Sequence, residues 1–367
     1  MNKLGIIALE SAERMGGRVE KILSEWHDGE HFRVPVSCPR FSSGEGKGII
    51  GTSIRGRDLY ILVDVCNNSL SYKMAGASNR MSPDDHYQDL KRIIAACNGQ
   101  ADSITVIMPF LYEGRQHRKT TRESLDCALM LRELEHMGVD HIITFDAHDP
   151  RMQNVVPLTD LENISPALQF TQALLTEYED MKLDGDHLMF IAPDEGATGR
   201  VVFMASLFGV NIGMFYKRRD YTRIVDGTNP IVAHEFCGGS VEGMDVIVVD
   251  DMIASGGSIL DVARQLKARG ARRVFLFSTF GLFTSGMDKF DQAYAEGCFD
   301  RVFTTDLVYQ SPELLKREYY FSVGMARYVA ALIDTLHHSG SLTELVKPEK
   351  RIRQTIEIYN TKSSTQG

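Results

Sequence analysis

The chain repeats one pattern, in which a short apolar run is followed by a polar loop and then by a segment with apolar residues at helical spacing. The run ITVIMP over 104–109 predicts a buried strand, and the loop LYEGRQHRK follows it. A helix is predicted over 122–136, because its apolar side chains fall on one face; they are Cys127, Met130, Leu131 and Leu134. Gly138 ends this helix, and residues 141–148 form the next predicted strand.

Two further copies of the pattern predict an α/β fold. One begins with HLMFIAPDEG at 187–196 and continues through a helix to Gly209. The other begins with DVIVVDD at 245–251, passes through MIASGGS and continues through a helix to Gly270. Strands that alternate with helices form βαβ units around a parallel sheet. The apolar runs lack polar alternation, as expected when helices cover both faces of a sheet.

The length and one long gap in the strand pattern predict two domains. A chain of 367 residues suits about two domains of ~150 residues each. Residues 158–186 carry no strand signal, so we expect the boundary near 160–170. We predict an N-terminal α/β domain over 1–165, a C-terminal α/β domain over 166–322, and a C-terminal helix and tail over 323–367. The polar end TKSSTQG is expected to fray.

The composition is that of an ordinary globular protein and argues against several classes. Hydrophobic residues make up 43% and charged residues 24% of the chain. A net charge of −9 argues against a nucleic-acid partner, which needs a basic surface. The six cysteines form no CxxC pair, and scattered thiols suit a reducing compartment. No apolar run approaches the ~18 residues of a membrane span, and the first residues do not form a signal peptide. We therefore expect a cytoplasmic protein without a membrane partner.

The most specific chemistry follows the third predicted strand. Asp250 and Asp251 end an apolar run, and the small residues 254–258 (ASGGS) then open a helix. Ligands of open α/β sheets bind at such strand ends, and backbone N–H groups at a helix start can hold a phosphate. The paired carboxylates suit two vicinal hydroxyls or a metal ion, so the segment predicts a site for a phosphorylated sugar. The alternative without a ligand is a strand–turn–helix in which Ser258 caps the helix.

These segments resemble a known family. VVDDMIASGGSI at 248–259 resembles the ribose-5-phosphate loop of the phosphoribosyl pyrophosphate synthases, or ribose-phosphate diphosphokinases, which are related to the type I phosphoribosyltransferases. Other segments resemble the family in the same chain order: PRFSSGEGKGII its FSDGE segment, SIRGRDLYI its V-R-G strand, GRQHRK its RQDRK loop, FDAHDPRMQN its D-L-H-x-x-Q-I-Q-G stretch, APDEGATGR its S-P-D-x-G-G segment, YKRRD its K-R-R arm and STFGLFTSG its T-H-G-x-x-S-G turn. The resemblance covers most of the chain and implies two phosphoribosyltransferase-like doubly wound domains with mainly parallel sheets.

The resemblance also implies a reaction and its residues. The β,γ-diphosphoryl group of ATP would pass to the C1 hydroxyl of ribose 5-phosphate, giving phosphoribosyl diphosphate and AMP. The implied catalytic residues are the cations Lys217 and Arg219, which would stabilise the transferring group. The residues implied to bind ATP are Phe41, Glu45, Arg115 and Gln116. Those implied to bind ribose 5-phosphate are Asp250, Asp251, Ser255, Gly256, Gly257 and Ser258. Mg²⁺ is implied as the cofactor, with His148 and Asp194 as its ligands. The family also implies a homo-oligomer in which dimers form a hexamer.

Several residues depart from the family pattern. Ala254 stands where the family loop D-D-M-x-D-T-x-G-T has its third acid, beside the sugar. We expect this loss to weaken sugar positioning or slow the reaction without abolishing ribose 5-phosphate binding. His117 and Ser43 each replace an Asp of the family, and Phe280 replaces its His.

Other functions have weaker support in the sequence. Gly46, Gly48 and Gly51 spell the GxGxxG of nucleotide-dependent oxidoreductases, but no buried strand precedes them and a strand, not a helix, follows. A phosphoribosyltransferase would share the paired-acid loop, but the ATP-side segments argue against it. A catalytically weak or inactive regulatory homologue is favoured by Ala254, whereas the retained basic arm and metal-ligand candidates argue for activity.

Overall fold

The chain forms two compact units. The computed structural model describes residues 3–219 and 231–365, and the side chains at 217–219, 231–234 and 363–365 lie outside that description. Unit one takes in the described residues of Met1–Pro166, Asp306–Ser311 and Gly324–Val346. Unit two takes in those of Ala167–Thr305, Pro312–Val323 and Lys347–Gly367. The chain therefore leaves unit one at Pro166 and returns to it twice near its C-terminal end.

Strands and helices alternate along both units. The strands are β1 Lys3–Ala8, β2 Val36–Ser37, β3 Ile49–Ile50, β4 Arg57–Leu62, β5 Ser71–Met74, β6 Ala77–Arg80, β7 Ser103–Ile107, β8 His141–Phe145, β9 Asp160–Ile164, β10 Leu188–Ala192, β11 Asn211–Arg219, β12 Ile231–Cys237, β13 Asp245–Ile253, β14 Arg273–Gly281, β15 Arg301–Thr305 and β16 Tyr320–Val323. The helices are α1 Glu13–Trp26, α2 Pro83–Cys97, α3 Asp126–His136, α4 Ala167–Glu177, α5 Thr198–Phe208, α6 Gly257–Ala268, α7 Asp288–Ala295, α8 Ala326–His337, α9 Thr343–Val346 and α10 Glu349–Thr365. Over the residues described, none of these helices is long and apolar enough to cross a membrane.

The main sheet of unit one is parallel throughout. Its strand order is β1-β4-β7-β8-β9. Side chains on both faces of its strands are fully buried, among them Ile6, Ile7, Leu59, Ile61 and Ile142. Helix α1 packs against β1 and thereby covers part of the sheet. The continuous apolar runs in the sequence are therefore explained by a sheet that is buried on both sides.

The sheet of unit two is larger and mainly parallel. Its order is β12-β11-β10-β13-β14-β15-β16, and only the pairing of β12 with β11 is antiparallel among these strands. Its core includes the fully buried Val246, Val248, Phe275 and Phe303. Helix α5 packs against β10, and α6 packs against β13 and β14. The α/β fold with parallel sheets predicted from the sequence is confirmed.

The C-terminal segment forms more helix than the sequence suggests. Helix α8 packs against α1 within unit one, whereas α10 packs against α4 and α5 within unit two. The hydroxyl of Tyr359 anchors α10, because it donates to the carbonyl of Tyr178 at 2.7 Å and accepts from the N–H of Met181 at 2.9 Å. Helix α10 continues to Thr365, so the expectation of a frayed tail is wrong for residues 361–365. The predicted separate part over 323–367 is divided between the two units.

Three elements near the end of unit one differ from the sequence prediction. Strand β8 stops at Phe145 rather than at residue 148, because Asp146 adopts a left-handed backbone (φ 42°). The N–H of Asp146 binds the carbonyl of Ile164 in β9. Strand β9 carries no apolar run because it lies at the edge of its sheet, where side chains stay partly exposed. Helix α3 begins at Asp126 rather than at residue 122.

Candidate functional site

Two carboxylates lie at the end of β13, in the middle of the sheet of unit two. Asp251 is 4% exposed, and its N–H donates to Oδ1 of the half-buried Asp250 at 2.9 Å. Burial raises the pKa of Asp250 well above the usual carboxyl value, and the negative charges of Asp251 and Asp194 raise it further. Nη2 of Arg200 on α5 lies 3.7 Å from Oδ2 of Asp251. The predicted acids are therefore adjacent, one buried and one half-buried, and the buried one is faced by a cation.

A third carboxylate reaches the same edge of the sheet from the neighbouring strand. Asp194 follows β10, which pairs with β13 in parallel. Its Oδ1 accepts hydrogen bonds from the N–H groups of Gly196 at 3.0 Å and Ala197 at 3.3 Å, which opens a short 3-10 helix over Glu195–Ala197. Carboxylates grouped in this way can accept hydrogen bonds from sugar hydroxyls or bind a cation.

The loop after β13 ends in a helix start without a side-chain cap. Gly256 is the N-cap residue of α6, so the cap position has no side chain that could hydrogen-bond the first N–H groups of the helix. The alternative in which Ser258 caps the helix is therefore wrong. Only glycine suits position 256, because its backbone is left-handed (φ 78°) and a β-carbon would lie 2.2 Å from Cε2 of Phe290. The side of the loop away from Phe290 is open, since Ser255, Gly257 and Ser258 are exposed.

Residues 282–284, which follow the end of β14, hold the backbone of the loop in place. The N–H groups of Leu282 and Phe283 donate to the carbonyl of Ile253 at 2.9 and 3.1 Å. The N–H of Thr284 donates to the carbonyl of Ala254 at 2.9 Å. The conformation at position 254 thus depends on backbone hydrogen bonds and not on the side chain that departs from the family pattern.

The basic arm continues the strand next to β10. Strand β11 runs from Asn211 to Arg219, so the basic residues 217–219 form its last part. The backbones of Lys217 and Arg219 pair with His234 and Ile231 of β12, and the register shifts between residues 218 and 219. The side chains of Lys217 and Arg219 lie outside the described part of the structure, so their catalytic role stays a prediction.

In unit one, the loops after two adjacent strands meet around a histidine. The loop after β7 carries the exposed Arg115 and the half-buried Gln116, and the loop after β8 carries the exposed His148. The ring of His117 lies 5.4 Å from the ring of His148, and its Nε2 lies 3.5 Å from Oδ2 of Asp149. The structure therefore brings the predicted ATP loop and the predicted metal ligand His148 together. Asp194, the other predicted metal ligand, belongs to unit two.

A buried acid follows the neighbouring strand β4. Asp64 is 4% exposed, and its carboxyl oxygens accept hydrogen bonds from the N–H groups of Cys66 at 2.9 Å and Tyr309 at 2.6 Å. Burial raises the pKa of Asp64 to about 7, although these two hydrogen bonds lower it. The sequence pattern did not single out this residue, since one acid after a strand is not a distinctive signal.

Phe41 and Glu45 lie in an exposed turn elsewhere in unit one. The N–H of Phe41 donates to the carbonyl of Glu45 at 2.7 Å, and the Phe41 ring is 54% exposed. Arg40, next to this turn, binds Asp89 of α2 through both carboxyl oxygens at 2.7 and 2.8 Å. The turn is thus attached to the unit while its aromatic ring faces outward. Its predicted role in ATP binding stays a prediction.

Sequence reasoning missed the partners that hold the candidate residues. Arg200 ends the segment APDEGATGR but has no distinctive spacing to Asp251, which it faces in the structure. Arg151 holds the carboxylate of Asp149 with its Nε at 2.9 Å and its Nη2 at 2.5 Å, and this keeps the pKa of Asp149 at about 2. The contact of Arg200 with Asp251 joins distant segments, whereas that of Arg151 with Asp149 is local but has no distinctive pattern in the sequence.

Two family models match the chain in consecutive segments. The model for the N-terminal domain of ribose phosphate pyrophosphokinase matches residues 4–138. The model for the phosphoribosyl transferase domain matches residues 159–316. The two matches together cover most of the chain and follow the order predicted from the sequence segments.

Relatives that match most of the chain have names that agree with these family models. The chain is 28% identical to the ribose-phosphate pyrophosphokinase of Vibrio parahaemolyticus over 315 residues. These residues cover 84% of this chain and 90% of that protein. It is 27% identical over 288 residues to the ribose-phosphate pyrophosphokinase of Ralstonia nicotianae, covering 76% of this chain and 80% of that protein. The crystal structure of phosphoribosylpyrophosphate synthetase from Mycobacterium smegmatis shares the fold with a TM-score of 0.74 at 22% identity, covering 92% of this chain and all of that one. The chain therefore belongs to the ribose-phosphate pyrophosphokinase family.

Proposed function

We propose that this chain transfers the β,γ-diphosphoryl group of ATP to the C1 hydroxyl of ribose 5-phosphate, giving phosphoribosyl diphosphate and AMP. The observation that carries the proposal is the pair Asp250 and Asp251 beside the uncapped start of α6. One loop there offers carboxylates for sugar hydroxyls and backbone donors for a phosphate. Membership in the pyrophosphokinase family supports this assignment over other phosphorylated sugars.

The start of α6 binds the 5-phosphate of the sugar. The first intrahelical bond runs from the N–H of Leu260 to the carbonyl of Gly256 at 3.1 Å. The N–H groups of residues 257–259 precede this bond, so they can donate to a phosphate, whose charge is also favoured by the helix dipole. The hydroxyls of Ser255 and Ser258 are exposed next to these groups and add donors.

Asp250 and Asp251 hold the ribose hydroxyls. Carboxyl oxygens accept hydrogen bonds in either protonation state, and two adjacent carboxyl groups match the two vicinal hydroxyls of ribose. Arg200 lies 3.7 Å from Asp251 and compensates its charge, which keeps this buried acid available as an acceptor. The hydroxyls are thereby held at a fixed distance from the phosphate-binding loop, which orients the C1 hydroxyl for attack.

The nucleotide binds in unit one, and the basic arm acts on its phosphates. Arg115 and Gln116 offer a cation and an amide at the carboxyl end of the parallel sheet, where ligands of this fold bind. Lys217 and Arg219, at the end of β11, stabilise the charge that spreads over the transferring phosphoryl oxygens.

The acidic residues fit Mg²⁺ as a cofactor. This ion prefers oxygen ligands and is usually bound by one or two carboxylates together with substrate phosphates. Asp194 supplies such a carboxylate, whereas a nitrogen ligand such as His148 is less typical of this ion. No cage of three or more His, Cys, Asp or Glu side chains occurs in the part of the chain that the structure describes. Mg²⁺ would therefore be held largely by ATP, whose phosphate charge it neutralises.

The test is release of AMP in the presence of both substrates. Purified protein is incubated with ATP, Mg²⁺ and ribose 5-phosphate, and AMP is measured in a coupled assay. We expect AMP only when both substrates are present, and phosphoribosyl diphosphate in equal amount. Binding of ribose 5-phosphate without AMP release would instead favour the regulatory homologue. Consumption of phosphoribosyl diphosphate with a nucleobase would favour a phosphoribosyltransferase.

We also propose a cytoplasmic homo-oligomer. The six cysteines are all free thiols, which suits a reducing compartment. Family membership supports dimers that assemble into a hexamer. Light scattering coupled to size-exclusion chromatography measures the mass of the assembly, and a monomer at micromolar concentration would contradict the proposal.

A further inference from the structure

A chain of contacts in unit one joins His148 to Arg151 through His117 and Asp149. Oδ2 of Asp149 lies 3.5 Å from Nε2 of His117, and the His117 ring lies 5.4 Å from that of His148. Asp149 itself is firmly held, because Arg151 binds both of its carboxyl oxygens and the N–H of Arg151 donates to its Oδ1 at 3.0 Å. The contacts therefore connect the loop after β7 to a fixed carboxylate in the loop after β8.

Among the residues that the structure describes, no ordinary hydrogen bond holds the ring of His117 next to Asp149. Its side chain is 12% exposed, and its buried Nδ1 has no hydrogen-bond partner among the residues that the structure describes. A buried polar atom without a partner is unusual in folded proteins. The position of the ring is thus set by the carboxylate of Asp149 and by contact with His148.

The same residues depart from the motifs that the chain otherwise resembles. His117 stands where the RQDRK loop has Asp, and Arg151 stands where the stretch D-L-H-x-x-Q-I-Q-G has its first Gln. An Asp at position 117 would face the carboxylate of Asp149, and two like charges at this separation repel. A His at 117 and an Arg at 151 instead surround that carboxylate with groups that attract it. The departures are therefore complementary to one another.

We propose that His117 is a positioning residue, which holds the Arg115–Gln116 loop against the His148 loop through Asp149 and so sets the affinity for ATP. This inference rests on the proposed function, because it assigns ATP to the Arg115–Gln116 loop. His117 acts through its neighbours and does not itself take part in the transfer. Without the contact to Asp149, the loop that carries Arg115 and Gln116 loses this attachment to the loop after β8.

The test is a double-mutant cycle read out by ATP binding. Calorimetry with ATP and Mg²⁺ is carried out on wild type, His117→Asp, Asp149→Asn and the double variant. Asn at 149 keeps an oxygen for the N–H of Arg151 but removes the charge. We expect His117→Asp to weaken ATP binding about tenfold in the wild-type background, which corresponds to about 1.4 kcal/mol. In the Asp149→Asn background, His117→Asp should reduce the affinity for ATP much less, because residue 149 no longer carries the negative charge that repels the new carboxylate.

Matched variants separate positioning from general damage. His141→Asp makes the same exchange on β8, at its opposite end, where His141 Nδ1 lies 3.2 Å from Oδ2 of Asp160. We expect it to leave ATP affinity unchanged. His117→Asn should weaken binding less than His117→Asp, since it introduces no charge. Circular dichroism and thermal melting verify that each variant is folded. In the active enzyme, His117→Asp should raise the KM for ATP and leave the KM for ribose 5-phosphate unchanged.

The outcomes distinguish this inference from the proposed function. The positioning role is wrong if His117→Asp reduces ATP affinity equally in the two backgrounds. It is also wrong if His117→Asp and His117→Asn reduce ATP affinity equally. Both conclusions hold even if the enzyme releases AMP. Wild-type protein that binds ATP but releases no AMP would defeat the proposed function, while the calorimetric cycle would still decide the role of His117. If the wild type binds no ATP, both proposals are wrong.

Discussion

Replacing Gly256 should change both the geometry of the loop before α6 and the stability of unit two. Its replacement by Ala places a β-carbon in a left-handed backbone and 2.2 Å from Cε2 of Phe290. Phe290 is fully buried and packs edge to face on Phe283 with ring centroids 5.0 Å apart, so the ring has little freedom to move away. The substitution must therefore shift the loop, the ring or both.

The magnitude follows from two penalties and one compensation. The left-handed conformation costs about 1–2 kcal/mol and overpacking about 1–3 kcal/mol, while the lower entropy of the unfolded chain offsets about 0.4–1 kcal/mol. We expect Gly256→Ala to destabilise unit two by about 1–5 kcal/mol. Gly257→Ala is the matched control, because the nearest atom to its added β-carbon beyond adjacent residues is Ser255 Oγ at 3.9 Å. That variant should be as stable as the wild type or slightly more stable.

The assay is urea unfolding followed by two probes. Far-UV circular dichroism reports both units, whereas the fluorescence of the single tryptophan, Trp26, reports unit one. Gly256→Ala should lower the midpoint seen by circular dichroism more than the midpoint seen by fluorescence. It should also weaken ribose 5-phosphate binding in calorimetry, since the phosphate loop is displaced. Equal midpoints for the Gly256→Ala and Gly257→Ala variants would refute this reasoning. In the Phe290→Leu background, Gly256→Ala should cost less, because the smaller side chain relieves the clash.

Other predictions concern the basic arm, the metal, the missing acid and the pH dependence. Lys217→Ala and Arg219→Ala should each lower the kcat for AMP release ~10²-fold or more with unchanged melting temperature, and wild-type turnover in both variants would contradict their role. Excess chelator should abolish AMP release, and His148→Ala should need more Mg²⁺ for half-maximal rate; an unchanged requirement would remove His148 from the metal site. Ala254→Asp should leave AMP release equal or raise it, and a collapse of activity would show that the loop is built around a small residue. The pKa of Asp64 is about 7 in the folded state, whereas an Asp in the unfolded chain has a pKa near 4. Between these two values the folded state keeps a proton that the unfolded chain has lost. The stability of unit one should therefore fall by up to about 4 kcal/mol as the pH rises from about 4 to about 7. Urea midpoints of wild type and Asp64→Asn at pH 5 and pH 8 test this, and equal pH dependence in the two proteins would contradict it.

The parts of the fold that sequence predicts are those governed by local pattern. The runs over 104–107 and 245–249 are apolar at every position or nearly so, because helices cover both faces of their strands. The acids Asp250 and Asp251 interrupt such a run at the edge where ligands of this fold bind, so the sequence alone makes them candidates for a ligand site. Pattern alone also predicts that the strands are parallel, since helices connect them.

The parts that sequence does not predict depend on contacts between distant segments. Strand β8 ends early because Asp146 turns left-handed, and nothing local to an Asp requires that conformation. The helix start at Gly256 is fixed by a ring 34 positions later in the chain, and the attachment of Asp149 to His117 spans two loops. Such contacts are consequences of the fold and become visible only when the strands have been placed side by side.

The departures at Ala254 and His117 differ in what they change. At Ala254 the backbone is held by the N–H of Thr284, so the loop keeps its shape with any small side chain and only a carboxylate is lost. At His117 a carboxylate that would repel Asp149 is replaced by a ring whose Nε2 lies 3.5 Å from Oδ2 of Asp149, and Arg151 already holds that carboxylate. Because the strands that carry both loops are formed, we expect both replacements to act on substrate positioning and not on the fold. The paired acids and the start of α6 remain in place, so the chain keeps the groups that we propose to bind the sugar phosphate.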